Sequence, residues 1–315
     1  MRAVVIRSKE LVLEERPTPV PGPYEVLVEV QAAGLNAADL LQRAGLYPPP
    51  PGWPEDIPGM ELAGVVTEVG DRIVELLLGR RVCAIVGGGA HATHCVVPAE
   101  HLLHTPSNVD SIDAGGFPEA FMTAYDALVT QADLKAGERV LISGAAGGVG
   151  VAAVQIGRVL GAKVVAVTRT SEHHEQLRAL GASDTVTLDE IPSLDPVDVV
   201  LELVGATDLN LAFGVLNPHA RVVVIGVGSG SRVEVDLLNL MQKRLVVTGT
   251  TMRTRTLKEK SEVARLVGDT LVPRWRVGEL VVPVAKVFDL DDVADAYDYF
   301  AQPGKFGKVI LRVDH

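Results

Sequence analysis

RVLISGAAGGVGVAAVQIGRVLGAKVVAVTR, residues 139–169, decides the fold class of this chain. It begins with a short apolar run and ends in the β-branched run Lys163–Thr168. Between them lie a glycine-rich turn and a stretch with a helical apolar face. This order predicts a strand, a tight turn, a helix and a second, buried parallel strand. The turn, Ala145-Ala146-Gly147-Gly148-Val149-Gly150, fits the permissive G/A-x-G-x-x-G pattern.

Glycine suits such a turn because the backbone must bend sharply, approach a pyrophosphate and let the helix pack against the strand. The free N–H groups at the start of the helix and its dipole then favour an anion. Because the required strand, helix and second strand all surround the glycines, the pattern predicts a dinucleotide-binding unit rather than an unrelated glycine-rich loop.

Beyond this unit, apolar β-rich runs continue to alternate with helix-like stretches. Strands are predicted at 139–143, 163–168, 184–188, 197–202, 221–226 and 244–249, and helices at 149–160, 171–180, 207–216 and 235–242. Such alternation predicts a parallel, doubly wound sheet with helices on both faces. Ligands gather at the carboxyl ends of parallel strands, so Gly226 and Gly228, which follow a predicted strand, are expected along a cofactor.

The remaining sequence predicts a second, β-rich domain built from both ends of the chain. The predicted elements outside the doubly wound region are mostly strands up to about residue 117, helices at Asn36–Arg43, Phe117–Val129, Leu257–Val267 and Leu290–Ala301, and strands at Leu280–Val284 and Gly307–Val313. The Pro-rich segment Tyr47–Pro54 is expected as an ordered loop or a flexible flap. We expect the final strand to return to the β-rich domain, which then comprises residues 1–118 and 257–315, with the Rossmann domain at 119–256. The predicted class is α/β.

Composition and net charge exclude several classes of protein. The chain has 315 residues and a formal net charge of −11, which argues against a nucleic-acid-binding surface. Only two cysteines occur, so a disulfide scaffold is excluded and a reducing, cytoplasmic setting is expected. The uncharged stretch Val140–Gly157 is rejected as a membrane span because it is rich in Gly and Ala and contains the phosphate turn.

Five landmarks, one of them the glycine turn, occur in order along the chain. They are Gly34–Asp39 followed by Arg43, Gly45 and Tyr47; Ile57–Glu61 with Gly64; Pro118-Glu119-Ala120 with Thr123-Ala124-Tyr125; Ala145–Gly150; and Gly304–Lys308. In these motifs the chain resembles the medium-chain dehydrogenase/reductase superfamily, and within it the zinc-free quinone oxidoreductases that use NADPH. The resemblance covers nearly the whole length and implies a GroES-like catalytic domain beside the Rossmann domain. It also implies a homodimer, paired through the edge strands of the Rossmann sheets near residues 244–250.

The metal ligands of the zinc-dependent branch are missing. Asn36 stands where those enzymes have a zinc-binding Cys, and Met60 where they have the His of Gly-His-Glu. Their lobe of closely spaced cysteines is absent as well, so the resemblance implies a member without zinc. His91 and His94 are metal-capable, but in a strand they point to opposite faces, which is poor for chelation. The resemblance places Glu61 near the metal position, in a structural role.

The expected cofactor is NADPH. NAD-specific Rossmann domains place an acid about 20 residues after the glycine turn to hold the ribose 2′-hydroxyl. Here the second strand leads instead into Thr168-Arg169-Thr170-Ser171, without a carboxylate. Arg169 is predicted to pair with the 2′-phosphate, with Thr170 beside it and His173 assisting when protonated. The alternative is that Arg169 is a solvated charge at the strand end.

Without a Lewis acid, acceptors that delocalise negative charge themselves are favoured, so the predicted substrate is a quinone or an enone. One alternative is a reductase of 2-enoyl thioesters on acyl-CoA or acyl carrier protein, or of alkenals. An alternative of another class is a non-catalytic NADPH-binding sensor or structural protein.

Candidate catalytic residues come from the family motif. Asn36, Asp39 and Arg43 share a helix face at i, i+3 and i+7. Asn36 is expected to orient the nicotinamide or the acceptor oxygen, whereas Asp39 and Arg43 are expected to form a structural ion pair. Tyr47 carries a hydroxyl suited to proton donation, or it is a wall of the acceptor pocket. Arg253 is expected to contact the cofactor or a neighbouring subunit. Relatives often have an aromatic residue in the glycine-rich loop around Gly87–Gly89, and this chain has none there.

Overall fold

The computed structural model describes residues 1–314 and divides into two compact units. The first comprises Met1–Met122 together with the chain from Met252 onward, and the second comprises Thr123–Thr251. Residues 119–122 and 252–256, predicted for the Rossmann domain, therefore group with the β-rich unit. At both boundaries the division lies four or five residues from the predicted position.

The β-rich unit begins with most of its strands. The elements up to the first boundary are β1 (Arg2–Arg7), β2 (Glu10–Glu15), β3 (Glu25–Gly34), α1 (Ala37–Arg43), β4 (Glu61–Val69), β5 (Arg81–Ile85), β6 (His94–Pro98), a 3-10 turn (Ala99–His101), β7 (Leu102–His104), α2 (Ser111–Gly115) and α3 (Pro118–Tyr125). The segment 47–54 contains neither helix nor strand, as its prolines require.

The second unit alternates strands and helices. Its elements are a π-helical stretch (Asp126–Gln131), β8 (Arg139–Ile142), α4 (Gly148–Val159), β9 (Lys163–Thr168), α5 (His174–Leu180), β10 (Asp184–Thr187), β11 (Val197–Glu202), α6 (Ala206–Ala212), β12 (Leu216–Val224), α7 (Leu237–Lys243) and β13 (Val246–Gly249), with 3-10 turns at Ser171–His173, Leu188–Ser193 and Phe213–Val215. The six predicted strands are confirmed, although β12 begins five residues earlier than expected.

The strands of the second unit form one parallel sheet in the order β10-β9-β8-β11-β12-β13. The order reverses between β8 and β11, which is the switch point where doubly wound folds bind ligands. Val140, Val164 and Val199 on the central strands are fully buried, as expected for strands covered on both faces. β13 is an edge strand, with Val246 and Val247 exposed.

The chain then completes the β-rich unit. The last elements are α8 (Leu257–Thr270), α9 (Val272–Arg276), β14 (Val284–Asp289), a 3-10 turn (Leu290–Asp292), α10 (Val293–Ala301) and β15 (Lys308–Arg312). The sheet order is β14-β15-β3-β4-β5-β7, and β6 pairs with β3. β15 therefore returns to the β-rich domain as predicted. Within residues 1–314, no helix has both the length and the apolar character needed to cross a bilayer.

The predicted strand Leu280–Val284 is wrong. Pairing begins only at Val284, because Pro283 has no N–H to donate to a neighbouring strand. The carbonyl of Pro283 accepts a hydrogen bond from the N–H of Lys308 instead (2.8 Å). β14, α10 and β15 form a parallel βαβ unit, a feature that the sequence pattern does not predict.

Candidate functional site

The glycine turn has the predicted strand–turn–helix geometry. β8 ends at Ile142, Gly147 is the N-cap of α4, and the helix begins at Gly148. A Cβ atom on Gly150 would lie 2.5 Å from the carbonyl oxygen of Gly144, closer than side-chain atoms approach. Only glycine therefore lets α4 start so near β8. The first N–H groups of α4 have no partner within the helix, so the turn fits a bound pyrophosphate.

The second strand ends beside polar groups. Thr168 Oγ1 donates to the carbonyl of Thr170 (2.8 Å) and lies 3.0 Å from His174 Nε2. These contacts connect β9 to α5 and leave Arg169 and Thr170 exposed. His173 lies in the intervening 3-10 turn, where its Nδ1 is 2.7 Å from Gln176 Oε1.

A buried carboxylate that sequence reasoning missed lies at the switch point. Glu202, the last residue of β11, accepts hydrogen bonds from Ser143 Oγ (2.7 Å) and from the N–H groups of Val204 and Gly205 (2.6 and 2.7 Å). Burial raises the pKa of this carboxyl, while these hydrogen bonds lower it. The strand ends also approach closely at Gly226, where a Cβ atom would lie 1.9 Å from the carbonyl oxygen of Leu203. No such contact constrains Gly228.

In the β-rich unit, Asn36 belongs to a buried charged cluster. Lys308 Nζ lies 2.6 Å from Glu61 Oε1 and donates to Asn36 Oδ1 (2.7 Å) and to the carbonyl of Leu35 (3.0 Å). Asn36 Nδ2 donates to the same oxygen of Glu61 (2.9 Å). Glu61 Oε2 accepts the backbone N–H of Glu119 (2.9 Å). The amide of Asn36 is thus held at both ends by a buried ion pair.

The predicted ion pair between Asp39 and Arg43 is wrong. Asp39 is fully buried and accepts backbone N–H bonds from Asn36 (2.8 Å) and Gly59 (3.1 Å). Arg43 instead donates to the carbonyl of Lys9 (2.9 Å) and lies 3.4 Å from Asp298. The N–H of Asn36 bonds to the carboxylate as in a capping box at the start of α1, and the N–H of Gly59, before β4, bonds to its other oxygen. Burial raises the pKa of Asp39.

The two candidate histidines have separate partners. His91 is fully buried, and its Nδ1 lies 3.0 Å from the hydroxyl of Tyr297, whereas His94 Nδ1 lies 3.1 Å from Thr93 Oγ1. Burial lowers the pKa of His91. Across the described residues, 1–314, no group of three or more His, Cys, Asp or Glu side chains is arranged to hold a metal ion.

Tyr47 lies beside Arg253, at the start of the Pro-rich segment. The guanidinium of Arg253 is 4.8 Å from the centroid of the Tyr47 ring, and Nη1 donates to the Tyr47 carbonyl (3.1 Å). Arg253 is buried and belongs to the β-rich unit, and its expected contact with the cofactor or a neighbouring subunit stays a prediction. Trp53 of the same segment packs so closely that a Cβ atom on Gly87 would meet its indole at 2.5 Å. An aromatic side chain thus covers the glycine loop from another part of the sequence.

Known proteins share both units. Residues 22–107 match the model of the alcohol dehydrogenase GroES-like domain, and residues 148–268 match the model of the zinc-binding dehydrogenase family. The chain is 31% identical over 305 residues to a quinone oxidoreductase of Lama guanicoe, covering 93% of this chain and 90% of that protein. It belongs to the medium-chain dehydrogenase/reductase family, as a quinone oxidoreductase-like member. The GroES-like and Rossmann assignments are therefore confirmed.

Solved structures include both metal-bound and NADPH-bound relatives. The quinone oxidoreductase of Thermus thermophilus, described together with its NADPH complex, is similar with a TM-score of 0.85 and 33% identity, covering 99% of this chain and 100% of that one. A cobalt- and zinc-bound alcohol dehydrogenase of Pyrobaculum aerophilum is similar with a TM-score of 0.86 and 31% identity, covering 99% of both chains. Cofactor and metal must therefore be argued from the residues of this chain.

Glu119 belongs to the motif Pro118-Glu119-Ala120, whose sequence gives no sign of an altered pKa. It is buried near Glu61, and burial together with that charge raises its pKa from 4.5 to about 8. The folded protein therefore binds more protons than the unfolded chain between pH 4.5 and about 8. Stability from this group is present at low pH and is lost as the pH rises through that interval.

We predict that Glu119→Gln removes this dependence, because a carboxamide stays neutral. The free energy of unfolding of the variant relative to wild type should rise by roughly 1–4 kcal/mol between pH 5 and pH 8. Urea unfolding at several pH values measures this difference. Glu10→Gln, at an exposed position, is the control and should follow wild type. Parallel curves for wild type and Glu119→Gln would contradict the assignment.

Proposed function

We propose that this chain is a zinc-independent, NADPH-dependent oxidoreductase that transfers hydride to a quinone or another conjugated carbonyl compound. The observation that carries the proposal is the Lys308 ammonium, which lies between Asn36 and Glu61 in the β-rich unit. Sequence and structural similarity to quinone oxidoreductases supports the choice of acceptor.

The donor set at these positions does not suit zinc. Tetrahedral zinc sites use thiolate, imidazole and carboxylate ligands. Here Asn36 offers only an amide, Met60 a buried thioether, and the Glu61 carboxylate is already neutralised by Lys308 at 2.6 Å. A second cation at that carboxylate would be repelled by the ammonium. Polarisation of the acceptor by a metal is therefore not part of the proposed reaction.

The second unit offers a site that fits NADPH. We assign the pyrophosphate to the turn Ala145–Gly150 and the 2′-phosphate to Arg169, with Thr170 and His173 beside it. Gly226 and Gly228, after β12, would border the same edge of the sheet. The cofactor supplies the hydride when bound, and the protein supplies orientation and exclusion of water. The exposed guanidinium of Arg169 and the absence of an acid in the segment Thr168–Ser171 support NADPH over NADH.

On the acceptor side, we assign Tyr47 as the residue that lines the pocket and offers a hydroxyl for proton donation. Asn36 and Asp39 are proposed to shape the site rather than to exchange protons. Asn36 is held by Lys308 and Glu61, and both oxygens of Asp39 accept backbone N–H groups.

We also propose a homodimer, in a reducing cytoplasmic setting. The edge strand β13 exposes Val246 and Val247, and the preceding helix α7 exposes Leu237, Leu238 and Met241. An apolar edge strand beside an apolar helix face favours pairing with a second copy of the same sheet. The setting is supported by the two free, buried cysteines.

Substrate turnover tests the function. We predict oxidation of NADPH with ortho- or para-quinones or with enones, and no loss of rate after treatment with a zinc chelator. The panel should include 2-enoyl thioesters, alkenals and saturated alcohols, followed by the absorbance of NADPH. Preference for thioesters would favour the alternative reductase, and binding of NADPH without any turnover would favour a non-catalytic role. Alcohol oxidation abolished by the chelator would contradict the proposal.

Arg169→Asp tests the choice of cofactor. The variant should lose roughly ten- to a hundredfold in kcat/KM for NADPH, because charge-assisted hydrogen bonds contribute about 1.5–3 kcal/mol. Its kcat/KM for NADH should not fall. Arg178→Asp, at an exposed position in α5 of the same unit, is the matched control. Equal or better efficiency of the wild-type protein with NADH would refute NADPH specificity.

Val247→Lys tests the dimer. A buried, unpaired ammonium at a strand-to-strand interface is unfavourable, so the sedimentation coefficient should fall from the dimer value toward the monomer value. Val12→Lys places the same charge on an exposed valine of β2 and should leave the dimer intact. A wild-type protein that sediments as a monomer at micromolar concentration would rule the dimer out.

A further inference from the structure

Arg253 is a buried cation whose partners are all uncharged. The residue is only 3% exposed. Nη1 donates to the carbonyl of Tyr47 (3.1 Å), and Nη2 donates to Gln42 Oε1 (2.5 Å) and to the carbonyl of Gly87 (3.1 Å). Its Nε is buried without a hydrogen-bond partner. Within residues 1–314, no carboxylate forms an ion pair with it.

Burying a charge without an ion pair is costly, and burial lowers the pKa of Arg253. The guanidinium has five N–H donors but only three neutral acceptors, which compensate poorly for its removal from water. A buried charge of this kind is weak evidence for a contribution to stability. The arrangement therefore indicates a role in holding particular groups in place.

The three acceptors belong to three separate segments of the β-rich unit. Gln42 is in α1, Tyr47 begins the Pro-rich segment, and Gly87 lies in the glycine loop. The amide of Gln42 also donates to the carbonyl of Glu55 (3.4 Å), the residue that follows the Pro-rich segment. Trp53 of that segment covers Gly87. The side chain of Arg253 thus touches all three segments directly.

The guanidinium also lies against the ring of Tyr47, at 4.8 Å from its centroid. A cation over an aromatic face is favourable, more so when both are withdrawn from water. The ring and the carbonyl of Tyr47 are therefore held by the same group. The backbone of Arg253 is itself fixed, because the buried ammonium of Lys260 donates to its carbonyl (3.0 Å).

We propose that Arg253 is a positioning residue that holds Tyr47 and the Trp53-covered glycine loop in the arrangement required for binding the acceptor. The inference rests on the proposed function, since Tyr47 is the assigned acceptor-side residue. Lysine cannot replace Arg253, because one ammonium group on a flexible stem does not reproduce a planar fork spanning three acceptors.

Kinetics test whether Arg253 acts through Tyr47. Arg253→Gln should lower kcat/KM for the quinone roughly tenfold while leaving the KM for NADPH unchanged, since residues in contact couple strongly. In a Tyr47→Ala background the same substitution should cost less than threefold. Equal losses in the two backgrounds would overturn the proposal. Arg276→Gln, which neutralises an exposed guanidinium in the same unit, should match wild type.

Hydrogen exchange provides a readout that does not depend on activity. Arg253→Gln should accelerate amide exchange at least tenfold in residues 45–57 and 86–89, whereas Arg276→Gln should not. Unchanged exchange in both segments would overturn the proposal even if activity fell. If the wild-type protein reduces no quinone, the proposed function fails, and the exchange result alone decides the role of Arg253.

Arg253→Lys keeps the positive charge, so it is a second test of the proposal if the Arg253→Gln variant fails to fold. It should show the same faster exchange and the same selective loss with the quinone. Full retention of both wild-type exchange and wild-type kinetics in this variant would refute the requirement for a guanidinium fork.

Discussion

The ion pair between Lys308 and Glu61 is the interaction on which the β-rich unit most depends. Lys308 begins β15 near the end of the chain, and Glu61 begins β4. Their contact at 2.6 Å also engages Asn36 at the start of α1, and the other oxygen of Glu61 holds the N–H of Glu119 in α3. Because both charges are buried, removal of one partner would leave the other charge buried and unpaired, which would lower the free energy of unfolding by about 3–5 kcal/mol. β15 is therefore held in the β-rich unit by an ion pair as well as by backbone hydrogen bonds.

Much of the second unit could be predicted because its strands, turns and helices are determined by residues close together in the sequence. The strands β8, β9 and β11 are runs of β-branched residues buried on both faces, and each is followed by a turn and a helix. The glycine turn is equally local, since its requirement is the contact between Gly150 and the carbonyl of Gly144 a few residues away. Strand β14 was missed because Val284–Asp289 is half-exposed, with Lys286 interrupting the apolar residues.

The candidate site of the β-rich unit depends instead on contacts between distant residues, which spacing along a helix does not reveal. Asp39 and Arg43 have the spacing of an ion pair, yet the backbone N–H groups of Asn36 and Gly59 take the carboxylate. Arg253 follows the Rossmann unit in sequence but is buried against Tyr47. For Glu119, burial and the charge of Glu61, which is distant in sequence, raise the pKa. The family motif pointed to most of these positions, but only the fold specifies their partners.

The two buried cations Lys308 and Arg253 differ in what surrounds them, and the difference explains why they need different side chains. The ammonium of Lys308 is neutralised by Glu61, so the two form a closed local pair. The guanidinium of Arg253 donates only to carbonyl and amide oxygens, while the carboxylates of Asp39 and Glu119, which do not bond to it, favour its charged form. Its planar fork directs donors to oxygens on three separate segments, an arrangement that depends on geometry rather than on charge pairing. Under the proposed function, Arg253 therefore acts on the acceptor side through the position of Tyr47.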